Sequence, residues 1–199
     1  DLPVELVQEM QVEVMPLVFT LGGKNYRNYP DNRELSPKEF YDRLRAGEVS
    51  TTSQINQADF LDAFTPVLEQ GKDILYLAFS SGLSGTFNSA RLAAEDLREQ
   101  FPERTIEVID TLQASMGEGL AVYYAACLKN EGKSLREVAD WFVENRQSIC
   151  AWFTVDDLMF LKRGGRVSGA AAVAGTLLGI KPVLHVDEEG KLIPMEKVR

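Results

Sequence analysis

"DILYLAFSSGLSGTFNSARLAAEDLREQFPERTIEVIDT", residues 73–111, decides the fold. Its opening, "DILYLAFSS" (73–81), is short and continuously apolar, the pattern of a strand buried on both faces. "TFNSARLAAEDLREQF" (86–101) carries apolar residues at helical spacing, and "TIEVIDT" (105–111) is a second strand. Two more helical stretches follow, "SMGEGLAVYYAACLKNEG" (115–132) and "SLREVADWFVENRQ" (134–147), the latter capped by Ser134. Strands alternating with helices predict an α/β fold with a parallel sheet covered by helices. Right-handed crossovers then bring Ser80 and Thr111 to the same sheet edge.

Working outward, "LPVELVQEM" (2–10) predicts a helix, "VEVMPLVFTL" (12–21) an extended segment and "LGGKNYRNY" (21–29) a hairpin or tight loop. "SPKEFYDRLRAG" (36–47) has a Ser N-cap, Pro at the first helical position, Glu39 for a capping box and Gly47 as its stop. "EVSTTSQIN" (48–56) reads as a polar connection. The helix 57–70 is capped by Asn56 and closed by Gly71, with Pro66 as a possible kink. Beyond residue 148 come a strand, "SICAWFTV", a short helix, "DDLMFLKRGG", and a helix of small and aliphatic residues, "SGAAAVAGTLLG" (168–179). A β-hairpin turning at "EEG" (188–190) closes the sequence. Antiparallel strands after parallel ones predict two units: a parallel α/β domain, 1–148, and the start of a second α/β domain, 149–199. The chain opens inside a helix and stops with no closing element, so it reads as a fragment truncated at both ends.

Composition narrows the function. Of 199 residues, 45% are hydrophobic and 26% charged, which is globular rather than disordered. A formal net charge of −9 repels nucleic-acid phosphates and anionic lipid surfaces, so no nucleic-acid partner is expected. No apolar run is long enough to span a bilayer. Cys127 and Cys150 have no metal-like spacing and read as reduced core residues of a cytoplasmic protein. No metal and no cofactor are expected; one histidine, His185, cannot complete a zinc site with two cysteines.

"SSGLSGTFNSA" (80–90) lies where open α/β sheets bind ligands, beyond the carboxyl end of a parallel strand. The peptide N–H groups of residues 84–87 should open a helix unpaired, and the hydroxyls of Ser81, Ser84 and Thr86 add donors, which makes an oxyanion cradle. The plainer alternative is that Ser84 or Thr86 caps its own helix. A P-loop needs lysine where Thr86 stands. A dinucleotide fingerprint needs G-x-G-x-x-G, although Asp110 lies where a ribose-binding acid would. A nucleophile elbow needs glycine at Thr86; the order Ser84, Asp110 or Asp156, then His185 would suit a serine esterase, but His185 falls inside a predicted strand. "STTSQ" (50–54) is either a capping loop or a second row of hydroxyls facing Ser84 across a cleft. "KRGGRVSG" (162–169) sets arginine beside a helix with almost no polar surface. An anion clamp next to an apolar wall describes a fatty-acid site better than a sugar or nucleotide site.

"TTSQ", "SSGLSGTFNSA", "VIDTLQAS" with "GEGL", "DDLMFLKRGGRVSGAAAVAGTLLGIKPVL" and "EKVR" together resemble the DegV family, in order and spacing, along the whole chain. That family comprises bacterial fatty-acid-binding proteins, including the binding subunit of fatty acid kinase. The resemblance implies two α/β domains with an acyl chain between them, a lipid-binding protein that is not itself an enzyme, and a role in phospholipid metabolism. It implies that Thr52 and Ser84 hold the carboxylate, beside Ser81 and Thr86. It also implies that a partner kinase binds ATP and phosphorylates the carboxylate, with Arg166 and Arg199 at the acyl-phosphate and kinase-docking face. Ser50, the "IN" after "TTSQ" and Thr111 depart from common family residues. The family's carboxylate-side histidine lies beyond "EKVR", and His185 does not take its role.

Overall fold

The structure, a computed structural model, describes residues 2–167 and 181–198. Helix α1 (Val4–Glu9) leads to strand β1 (Val18–Leu21). Gly22 and Gly23 follow at φ 58° and 77°, the two left-handed positions of a tight hairpin turn into β2 (Lys24–Arg27). Helix α2 (Pro37–Arg45) begins where Ser36 accepts the Glu39 N–H, and Gly47 follows it at φ 98°.

The polar stretch read as a connection contains strand β3 (Ser50–Ser53), paired antiparallel with β1 so that Phe19 faces Thr52 in register. Its β-branched threonines suit a pleated surface, and β1 supplies the ladder partner that local sequence cannot reveal. The resulting β2–β1–β3 sheet is one more antiparallel layer than expected. Helix α3 (Gln57–Glu69) opens on a reciprocal capping box between Asn56 and Asp59.

Strand β4 (Ile74–Ala78), helix α4 (Thr86–Gln100), strand β5 (Ile106–Asp110), helix α5 (Ser115–Asn130) and helix α6 (Leu135–Asn145) form the central layers. The strands pair parallel, Ile74 with Ile106 through Ala78 with Asp110. Because side chains alternate, each strand feeds two cores. Ile74, Tyr76 and Ile106 meet Phe60, Phe64 and Leu68 of α3 and Ala90, Ala93, Ala94 and Leu97 of α4. Leu75, Leu77 and Ile109 meet Ala121 of α5 and Ala139 and Phe142 of α6. Helices thus cover both faces of the parallel pair. The alanine row lets α4 come close to the sheet, which the close contact of Phe60 with Phe64 and Tyr76, at 5.4 and 5.0 Å between ring centroids, completes.

Strand β6 (Trp152–Thr154), helix α7 (Leu158–Arg163), strand β7 (Lys181–Val186) and strand β8 (Leu192–Val198) follow. The last strands form an antiparallel β6–β7–β8 sheet against which Leu158 of α7 packs beside Leu184. The fold class is therefore α/β as read, but antiparallel strands both precede the parallel pair, in β1–β3, and follow it, in β6–β8. Both cysteines are free thiols, but neither is fully buried, a correction to their reading as core: Cys127 on α5 is half-buried, and Cys150, in the connection before β6, is exposed. The predicted helix 168–179 lies outside the described residues, and no described helix is long and apolar enough to cross a membrane.

Glu118, in the first turn of α5, is a half-buried carboxyl that burial pushes up to about 7 from its ordinary 4.5. Its charge, after burial, helps raise the phenol of Tyr76. The folded protein therefore holds the Glu118 proton longer than the unfolded chain does. Stability should fall as pH rises from 4.5 to about 7, by up to about 3 kcal/mol, and level off above. Glu118→Gln should remove that slope, as seen by comparing urea denaturation of the two proteins across the window.

Candidate functional site

The carboxyl ends of β4 and β5 are joined before the site begins. Thr111 N–H and Oγ1 both donate to Ala78 O, at 3.2 and 2.7 Å, and Ser80 N–H donates to Gln113 O at 2.9 Å. Asp110 Oδ1 accepts from the N–H groups of Ser81 and Leu112, at 3.2 and 3.0 Å. That carboxylate is thus a brace between two loops, not a ribose acid or a triad member.

From this frame the serine loop turns back on itself. Ser80 O accepts the N–H groups of Leu83 and Ser84, both at 3.1 Å. Ser84 N–H is therefore not free, contrary to the expectation that residues 84–87 would all open the helix unpaired. Thr86 N–H is also used, donating to Ser84 Oγ at 3.2 Å. Among the described residues, the N–H groups of Gly85 and Phe87 have no protein acceptor, and these carry the positive end of α4.

Thr86, 1% exposed, decides what Ser84 can do. Its Oγ1 accepts the Ile55 N–H at 3.3 Å and lies 2.9 Å from Ser84 Oγ. Ser84 Oγ is the one acceptor near enough for the buried Thr86 proton among the described residues. If Thr86 O–H is the donor of that contact, Ser84 accepts twice, from Thr86 N–H and Thr86 O–H, and its own proton is left to donate. The capping interaction and the donor role are thus compatible. Charge-assisted donation to an anion would strengthen along this chain of hydroxyls.

The strand β3 and its extension approach the same helix. Gln54 Nε2 lies 3.5 Å from Ser89 Oγ, and the Gln54 amide fills the space where a Cβ on Gly85 would stand. Thr52, two residues back along the strand, is exposed, as is Ser81; Ser84 is half-buried. Arg166, just after α7, reaches the loop through its Nε, which donates to Leu83 O at 3.1 Å, while Nη1 donates to Gly164 O. Arg199 lies outside the described residues.

Nothing in this arrangement activates Ser84 as a nucleophile. His185 is on β7, with Nδ1 3.1 Å from Ala151 O and its ring stacked on Trp152 at 4.8 Å between centroids. Asp156 pairs with Lys181 at 2.8 Å. Among the described residues no group of three His, Cys, Asp or Glu side chains could hold a metal ion.

Hydroxyls and a helix N-terminus thus lie together at the carboxyl edge of a parallel pair in an α/β fold, an arrangement suited to an anion. The sequence model of "Uncharacterised protein, DegV family" matches residues 1–199. A DegV domain-containing protein of Clostridium perfringens is 45% identical over 199 residues, all of this chain and 68% of that protein. A Thermus thermophilus structure, described as fatty acid binding of a DegV family protein, is 38% identical at a TM-score of 0.84, covering all of this chain and 68% of its own. The Streptococcus pneumoniae Fatty Acid Kinase B3 protein, loaded with linoleic acid, is 27% identical at a TM-score of 0.81, covering 92% of this chain and 63% of its own. The chain belongs to the DegV family.

Replacing Thr86 with valine keeps its shape and removes the hydroxyl, which leaves the buried Ile55 N–H without an acceptor. Thr86→Val should lower unfolding free energy by about 1–3 kcal/mol in denaturant titration.

Proposed function

We propose that this protein binds a long-chain fatty acid and holds its carboxylate at the N-terminus of α4, without catalysing a reaction itself. The observation that carries the reading is the half-buried Ser84 hydroxyl, which accepts Thr86 N–H and lies 2.9 Å from Thr86 Oγ1, beside N–H groups of Gly85 and Phe87 that have no acceptor among the described residues. Such a group donates, and a carboxylate is what a donor at a helix N-terminus suits. The likeness to the Thermus thermophilus fatty-acid-binding protein over the whole chain supports an acyl ligand. In this reading Ser84 and Thr52 donate to the two carboxylate oxygens, Ser81 borders the entrance, and Thr86 acts from behind Ser84. The acyl chain lies between a parallel α/β part, 1–148, and the part from 149 onward.

Protein purified from bacterial cells should carry a fatty acid in near-stoichiometric amount, which native mass spectrometry and solvent extraction would detect; an empty protein would sink the proposal. In delipidated protein, Ser84→Ala and Thr52→Ala should each weaken linoleate binding by about 1–3 kcal/mol.

A second step of the reading is that the bound carboxylate is presented to a partner kinase. The likeness to the Fatty Acid Kinase B3 protein supports it, and Arg166 and Arg199 are the cations assigned to the acyl-phosphate and docking face. Mixing the linoleate-loaded protein with ATP and the ATP-binding subunit of a fatty acid kinase should yield acyl-phosphate. Arg166→Ala should lower that rate at unchanged linoleate affinity.

A further inference from the structure

Ser80 stands four residues before Ser84, has no exposed surface, and belongs to none of the groups assigned above to the carboxylate. Its Oγ donates to Gly190 O at 2.7 Å and accepts the Gly82 N–H at 3.1 Å. Its carbonyl, as described, takes the N–H of Ser84. One residue therefore joins the tip of the β7–β8 hairpin to the position of the Ser84 backbone.

The glycines at that contact are required by space. A Cβ on Gly82 would stand 2.6 Å from Glu189 O and 2.9 Å from Gly190 O, both backbone atoms that no side-chain rotation can move. A Cβ on Gly190 would collide with Ser80 Oγ and approach Leu112 Cα to 3.2 Å, and Gly190 is itself at φ +72°. The hairpin tip thus touches both loops of the crevice, the one after β4 and the one after β5. Leu112, on the second loop, holds φ 53°, a left-handed conformation unfavourable for leucine. Such a conformation persists where surroundings impose it, and the Gly190 contact together with the Asp110 brace does so here.

We propose that Ser80 and Gly190 form a positioning latch: the hairpin tip of the β6–β7–β8 sheet fixes the serine loop in the shape that aims the Ser84 hydroxyl at the ligand carboxylate. The inference rests on the fatty-acid reading above. Ser80 is a positioning residue, acting through Ser84 rather than touching the ligand.

The test is a double-mutant cycle in the delipidated full chain, with linoleate carrying 13C at its carboxyl carbon. Calorimetric titration gives the affinity, and the 13C resonance reports the surroundings of the bound carboxylate. Ser80→Ala should weaken binding by about tenfold. In a Ser84→Ala background the same change should cost less than about twofold, because its effect passes through Ser84. The 13C resonance should move in the same direction in Ser80→Ala and Ser84→Ala. If Ser80→Ala leaves affinity unchanged, or the two losses multiply, or the melting temperature drops with the resonance unmoved, the latch is wrong while the fatty-acid site stands. If Ser84→Ala alone leaves affinity unchanged, or linoleate does not bind, the site assignment fails first and the latch with it. Should Ser80→Ala not fold, Gly190→Ala tests the same contact from the hairpin side, with the same expected coupling to Ser84→Ala.

Discussion

A serine with no exposed surface, all of whose polar atoms are engaged, ties this structure together. Ser80 N–H belongs to the β5 side through Gln113, its carbonyl shapes the turn to Ser84, and its hydroxyl belongs to the hairpin of the antiparallel sheet. Buried polar atoms left without partners are costly, so these bonds stand or fall as a set. Gln113 extends the set: its N–H donates to Thr111 Oγ1 and its amide to Ile149 O, which joins the parallel sheet to the start of β6's segment. Its Oε1, buried and without a hydrogen-bond partner among the described residues, lies against Gly117 at the start of α5.

The rest of the molecule supplies rigidity to that point. Apolar residues on alternate sides of β4 and β5 anchor two helices on each face, and the close approach of α4 through its alanines fixes where its first turn emerges. Thr86 then binds the strand-to-helix connection before α3 through Ile55 N–H. The serine loop is consequently bounded by four separate parts of the chain: the β3 extension, the end of β5, Arg166 after α7 and the β7–β8 tip. A hydroxyl held this way donates with little entropy lost on binding.

Much of this was legible along the chain and some was not. The strand–helix alternation from Ile74 to Asn145 was legible because each element is determined by its own periodicity and caps; Asn56 and Ser134 show reciprocal capping boxes. The serine cluster was legible as a candidate site because loops after parallel strands gather there. Strand β3 was not, since "STTS" owes its ladder to β1, some thirty residues earlier. Cys150 looked internal from its apolar neighbours, yet exposure depends on which layer covers a connection. The free N–H groups were overcounted because Ser80 and Ser84 themselves accept two of them. Gly190 read only as a turn glycine; its contact with Ser80 spans 110 residues, and no local pattern encodes it.

That separation gives the site an order of assembly. During synthesis the serine loop emerges long before the hairpin that closes on it, by 110 residues. At bacterial elongation rates of about 5–20 residues per second, the interval is roughly 5–20 s. Until then the Gly190 carbonyl that accepts the Ser80 hydroxyl has not been made. On the fatty-acid reading, a chain not yet extended through the β7–β8 hairpin would present an incomplete serine loop to the ligand.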